Sequence, residues 1–211
     1  MQNMHASLTK YNLNLKVSTP VPSAGSFKPE LIEMLIKPML HFLRETNSYI
    51  MVNAYPFFAY AANSDKISLD YALFRDNAGY VDDQNGVVYK NLLDAQLDAV
   101  NSAMEALNFS DVKMVVTETG WPSVGDPNET GAGEENAAEY NGNLVRRVVT
   151  GGGTPLRPDD HLNVYLFALF NEELKVGPTS ERNYGLFYPD GRKVYDVPLS
   201  LTAVVNRSTV G

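Results

Sequence analysis

Helix-like and strand-like segments alternate along this chain, and that alternation limits its fold more than any other feature. Apolar residues recur at helical spacing at Met1, Met4 and Leu8, and over 29–45 at Leu31, Leu35, Met39 and Phe42. They recur again over 91–107 at Leu93, Leu97, Val100 and Met104, and over 134–149 at Tyr140, Leu144 and Val148. Between them lie strand-like runs at 12–19, with Leu13, Leu15 and Val17 on one side, and at 49–55, 112–117 and 163–170. Pro38 is expected to kink or split the second helix, because proline lacks the N–H of the helical ladder. Residues 56–89 read as a long irregular stretch rich in aromatics, and the chain from Tyr184 onward as turns and short apolar pieces. Four helix–strand units in succession predict an α/β fold with a parallel sheet covered by helices. The strands read as buried on both faces, as parallel strands are. A closed eight-stranded barrel takes about 250 residues. The 211 residues here hold four units, enough for a small open sheet or for about half a barrel with a tail.

In parallel α/β folds the C-terminal strand ends form the active face. That gathers Asn53, Tyr55, Glu118, Trp121, Asn171 and Glu172 in one place. Glu118 follows the apolar run Met114-Val115-Val116 almost directly. A carboxylate ending such a strand is partly desolvated, which costs free energy unless it is paired or used. The aromatics Tyr55, Phe57, Phe58 and Tyr60 cluster after the second strand, with Trp121 after the third. Aromatic faces pack against the C–H faces of sugar rings while polar neighbours bind hydroxyls. The competing reading is that they fill core, and for Phe57 and Phe58 the two stand level.

Composition removes several alternatives. The formal net charge is −8 with no basic stripe, so nucleic acid is not an expected partner. There is no cysteine, hence neither a disulfide framework nor a thiolate metal site. His5, His41 and His161 are too far apart for a metal-binding helix, and no metal or cofactor is expected. No apolar run approaches the ~20 residues of a membrane span, and the N-terminus lacks the pattern of a signal peptide. Asn108, Asn128 and Asn206 head Asn-x-Ser/Thr triplets, weak pointers to a secretory route. Gly151-Gly152-Gly153-Thr154 lacks the lysine of a phosphate loop and reads as a helix-ending turn. Asp82-Asp83 and Asp159-Asp160 read as solvated loop charges.

The stretch from Val112 to Ser123, containing Thr117-Glu118-Thr119-Gly120-Trp121-Pro122, resembles the signature of glycoside hydrolase family 17, which includes plant endo-β-1,3-glucanases and mixed-linkage glucanases. Similar matches run in order along nearly the whole chain. They are Asn53-Ala54-Tyr55-Pro56-Phe57-Phe58-Ala59-Tyr60, Ile67-Ser68-Leu69-Asp70-Tyr71-Ala72-Leu73-Phe74, Gly151-Gly152-Gly153-Thr154-Pro155, Phe167-Ala168-Leu169-Phe170-Asn171-Glu172 and Tyr184-Gly185-Leu186-Phe187. The resemblance implies a (β/α)8 TIM barrel, of which 1–200 would supply strands five to eight and 201–211 a tail. It implies a retaining glycosidase acting on β-1,3-glucan, secreted or in the cell wall. Glu118 would end strand seven and act as nucleophile, with Tyr55 orienting it. Asn53, Phe58, Trp121, Phe170, Glu172, Lys175 and Glu181 would line the cleft and bind sugar.

Retaining hydrolysis needs a second carboxyl roughly 5–5.5 Å from the nucleophile. By the resemblance, that acid/base is a glutamate after an asparagine at the end of strand four, upstream of the helix that begins here at Met1. The chain's Asn-Glu pairs are Asn128-Glu129, in a loop, and Asn171-Glu172, which matches an eighth-strand feature. Strands one to four and the acid/base are therefore expected to lie outside this chain, on a missing N-terminal half-barrel. Glu172 and Glu181 are the alternatives for the acid; the competing reading has them bind sugar hydroxyls or pair with Lys175 and Arg182. A second departure is a short segment after the first strand, where only Pro20 and Val21 separate Thr19 from Pro22-Ser23-Ala24-Gly25. An inactive β-glucan-binding remnant is the alternative function. A barrel enzyme for a phosphorylated substrate is a third, and it lacks a basic clamp beyond Lys175 and scattered arginines.

Overall fold

The computed structural model describes residues 1–22 and 32–199. Its strands are β1 (Pro20–Pro22), β2 (Ile50–Asn53), β3 (Tyr80–Val81), β4 (Val88–Tyr89), β5 (Met114–Thr119) and β6 (Val164–Leu166). Its helices are α1 (Gln2–Lys10), α2 (Lys37–Glu45), α3 (Pro56–Ala62), α4 (Leu69–Ala72), α5 (Leu92–Ala106) and α6 (Glu134–Thr150). Four strands make one parallel sheet in the order β1-β2-β5-β6. The order follows the chain without reversal, so the ends of β2, β5 and β6 open side by side. A small antiparallel pair, β3 and β4, lies apart from it.

One face of the sheet is sealed by helices. Val52 and Val116 stand opposite each other in the ladder and are at most 1% exposed. They share one apolar cluster with Leu40 and Leu43 of α2, Leu93 and Leu97 of α5, and Tyr140 and Leu144 of α6. Each fully buried leucine of this kind is worth about 1.5–3 kcal/mol. Local chemistry starts the helices where the pattern predicts. The side chain of Asn91 accepts from the Asp94 N–H at 2.8 Å and opens α5. Pro38 stands in the first turn of α2, where it has no N–H to offer the turn before it. The preceding residues, Ile32–Ile36, are wound as a π-helical turn, so the expected split of the second helix falls just ahead of Pro38.

The other face departs from the expectation of burial on both sides. Met51, Val115 and Thr117 are only partly buried and Tyr165 is 65% exposed. They line an open cavity of about 800 Å³ with Met4 and Leu8 of α1. The segment Leu15–Ser18 and Tyr49 complete its lining, and the cavity stays open. The first strand is also displaced. Residues 13–19 make no ladder, and Leu13 and Leu15 are at least half exposed while Val17 is buried. The strand is instead Pro20–Pro22, at the sheet edge, where proline is tolerated because the outward N–H needs no partner.

The region 56–89 is more ordered than its sequence suggests. It holds α3, α4 and the β3–β4 pair, with Ser68 capping α4 through the Tyr71 N–H. These elements are too short for periodicity to reveal. The short segment after Thr19 lies partly, and the expected tail at 201–211 wholly, outside the described residues.

Candidate active site

Glu118 lies inside β5, one residue before its end, opposite Asn53 of β2. It thus stands at the C-terminal end of the strand, within one residue of where the sequence places it. The ladder is irregular there, with a register shift between Val52 and Asn53. The Ala54 N–H donates to the Glu118 carbonyl at 2.9 Å. Two residues beyond Asn53, the Tyr55 hydroxyl donates to Glu118 Oε2 at 3.0 Å. Burial, and after it the Glu118 carboxylate, push the Tyr55 phenol well above its ordinary pKa, so it stays a proton donor. The strand behind is anchored by a 2.6 Å hydrogen bond between the buried hydroxyls of Thr119 and Tyr140. Gly120 then lets the chain just after β6 approach: a Cβ there would stand 2.1 Å from the Phe167 carbonyl oxygen.

Tyr55, Phe58, Glu118, Phe167, Glu172, Lys175, Glu181 and Tyr184 surround a cavity of about 300 Å³. Lys175 is its cation. Its ammonium lies 3.2 Å from Glu172 Oε2 and 3.0 Å from Glu181 Oε2, and 4.8 Å from the centre of the Phe167 ring. Burial works against that charge, but the Glu181 and Glu172 carboxylates outweigh it and hold the ammonium above its usual pKa. The Tyr184 ring packs edge-on against Tyr55 and Phe167, with centroids 5.6 and 5.7 Å away. Its hydroxyl is buried without a hydrogen-bond partner among the described residues. Burial, then Tyr55 and Glu181, raise its pKa strongly.

The fold thus brings Tyr55, Phe58, Glu118, Glu172, Lys175 and Glu181 together around one cavity. Of the two competing readings for Glu172 and Glu181, the observed geometry pairs both with Lys175. Arg182 instead donates to the carbonyls of Lys175 and Gly177. Asn53 does not line the cavity, and its side-chain oxygen accepts from the Thr117 hydroxyl at 2.8 Å. Phe170 is 45% exposed but packs against Phe187 rather than lining the cavity.

Trp121 requires a correction. It is fully buried among Phe57, Tyr60 and Tyr140, and its indole N–H donates to the Gly131 carbonyl at 2.8 Å. It has no open face for a sugar ring and serves as core. Asn171 is also turned inward, its side-chain oxygen accepting from the Gly185 N–H at 2.8 Å. Phe57 is core at 1% exposed, whereas Phe58 is 44% exposed. Phe167 and Tyr184 are cavity residues that sequence reasoning did not single out. Phe167 sits inside an apolar run and Tyr184 at the start of a turn-like stretch, and neither setting has a local signal that separates lining from filling. No group of three or more His, Asp or Glu able to hold a metal ion occurs among the described residues.

Comparison with known proteins adds an independent line. The family model described as glycosyl hydrolases family 17 matches residues 1–199. Glucan endo-1,3-beta-glucosidase 11 of Arabidopsis thaliana is 47% identical over 219 residues, covering 97% of this chain and 51% of that protein. The solved β-1,3-glucanase and allergen of Cryptomeria japonica pollen superposes with a TM-score of 0.87 at 41% identity, over 95% of this chain and 64% of that one. A structure from a study of two plant β-glucan endohydrolases with distinct substrate specificities gives 0.82 at 39% identity, over 93% and 65%. The chain spans about half the length of the curated relatives it matches.

Proposed function

This chain belongs to glycosyl hydrolase family 17, and on that premise we propose that it carries the nucleophile side of a retaining endo-β-1,3-glucanase site. The supporting observation is the Tyr55–Glu118 hydrogen bond at the strand ends, inside a cavity walled by aromatics and charged groups. In this reading Glu118 attacks the anomeric carbon as the glycosidic C–O bond breaks, forming a glycosyl-enzyme. The departing sugar oxygen takes a proton from the acid/base, and water, giving a proton back to that group, then attacks the same carbon and releases Glu118. Tyr55 holds Oε2, which leaves Oε1 to form the new bond. Phe58 and Phe167 offer apolar faces to sugar rings, and Glu172, Lys175 and Glu181 meet hydroxyls.

The acid/base is assigned to a segment outside these 211 residues. Glu172 and Glu181 already spend an oxygen each on Lys175, an arrangement of ionic acceptors rather than of a proton donor. We further infer that the sheet is the strand five to eight arc of a (β/α)8 barrel, because its order follows the chain. The open face lined by Met51, Val115, Thr117 and Tyr165 is then the surface that the first half of the barrel covers. β-1,3-Glucan is the proposed substrate, and the family points to secretion or the cell wall. No helix among the described residues is long and apolar enough to cross a membrane.

Two measurements test this. Calorimetry should detect laminari-oligosaccharide binding, while a reducing-sugar assay on laminarin should show no more turnover than Glu118→Gln. Supplying the first half of a relative's barrel should restore hydrolysis, and Glu118→Gln should then lower it by about 10⁴-fold or more. Glu118-dependent turnover by the chain alone would place the acid within it. Restored turnover that ignores Glu118→Gln would remove Glu118 from the chemistry.

A further inference from the structure

The wall of the cavity that carries Glu172, Lys175 and Glu181 has little apolar anchorage of its own. Leu174 is 98% exposed and Val176 88% exposed. Regular structure over 171–183 is limited to the single 3-10 turn Thr179–Arg182. A side chain on such a segment holds its place only if polar contacts tie the backbone down.

Some of those contacts lie within the segment, as when Arg182 donates to the Lys175 and Gly177 carbonyls, and the ties to Thr179 and Ser180 come from the loop after β5. Asp126 Oδ2 accepts the Thr179 N–H at 3.1 Å, and Oδ1 accepts the Thr179 hydroxyl. Glu129 Oε2 accepts the Ser180 N–H at 3.1 Å, and Oε1 accepts the Ser180 hydroxyl. Each carboxylate therefore grips both donors of one residue, immediately ahead of Glu181. Glu129 Oε2 also takes the Asp126 N–H at 2.8 Å, which fixes its own loop. Ser123 adds a tie, its N–H and hydroxyl both donating to the Asn183 carbonyl at 2.8 and 3.1 Å. The Thr179 and Ser180 amides open the 3-10 turn and have no partner within it, which is where carboxylates bind best. The Thr179 hydroxyl and amide hold the Asp126 carboxyl below its ordinary pKa. The amide of Asn or Gln would supply one acceptor in place of two and bring an NH₂ against a donor.

We propose that Asp126 and Glu129 are positioning residues, a two-carboxylate clamp through which the loop after β5 holds Glu181, and with it Lys175, at the cavity. Neither residue lines the cavity. They act through the turn, and the connection runs from the strand that bears Glu118. The role as a glucan-site device rests on the reading above; the clamp itself does not.

The test uses the full chain with Glu129→Gln, Glu181→Gln and the double variant, and Asp126→Asn in the same cycle should Glu129→Gln not fold. Hydrogen exchange reads the clamp without ligand. The Thr179 and Ser180 amides should lose about tenfold or more of their protection in Glu129→Gln, while Val116 and Glu118 keep theirs. Laminari-oligosaccharide affinity reads its purpose. Glu129→Gln should weaken binding several-fold, and adding it to Glu181→Gln should weaken binding no further, because both act through one group. Fully additive losses, or unchanged protection at 179–180, would overturn the proposal. If the wild-type chain binds no oligosaccharide, the glucan reading fails, and the exchange result still decides the clamp.

Discussion

The two walls of the cavity are held in place by different forces. Glu118 projects from β5 and Tyr55 from the turn just after β2, and the strands behind them are backed by Val52, Val116 and the Thr119–Tyr140 hydroxyl pair, all buried. Ladder hydrogen bonds and apolar burial fix that wall, and both act over many atoms at once. Glu172, Lys175 and Glu181 project from a segment whose own apolar residues face solvent. Ion pairs and single hydrogen bonds fix that wall, each acting on a few atoms and screened where it meets water. The difference teaches that the proposed nucleophile is placed by the core while its charged surroundings are placed by exchangeable polar ties.

Substitutions should separate the walls by size of effect. Trp121→Ala, behind the strand wall, should cost about 3–5 kcal/mol in denaturant unfolding, as deletion of a buried aromatic does. If it instead left stability intact and only weakened sugar binding, Trp121 would be a ligand platform and the contrast would fail. Lys175→Met should cost about 1 kcal/mol or less, because the side chain is a third exposed and its pairs are screened. The pH sign is specific. The folded pKa of Lys175 is raised, so its contribution is fully present below its ordinary value of 10.5 and is lost as pH rises through the folded value. The difference between wild type and Lys175→Met should therefore shrink in melts above about pH 10.5. Leu174→Ser should change stability by no more than about 0.5 kcal/mol, since the side chain is already in water. A larger loss there would mean that the loop wall has an apolar anchor after all.

Much of this was legible in the chain itself. The long helices α5 and α6 follow directly from their periodic leucines, valine, methionine and tyrosine, and the parallel α/β class follows from the alternation. Local strand placement was less legible. Leu13, Leu15 and Val17 alternate as a strand should, yet among the described residues they join no ladder, and pairing moves to Pro20–Pro22. Asp126 and Glu129 look like ordinary loop acids until the turn at Thr179–Arg182 is seen against them. Their partners lie more than fifty positions away, beyond the reach of any local pattern.

The sequence by itself determined the fold class and pointed to Glu118 as the acidic residue closing an apolar strand. Both depend on short-range spacing, which a linear chain displays openly. Only the tertiary structure decided which aromatics line the cavity and which fill the core. Trp121 and Phe57 went inward, while Phe58, Phe167 and Tyr184 came to the cavity, because burial depends on what remote segments pack against each ring. The same holds for the bond that orients the proposed nucleophile. Tyr55 and Glu118 are 63 residues apart, and they meet only because β2 and β5 are neighbours in the sheet.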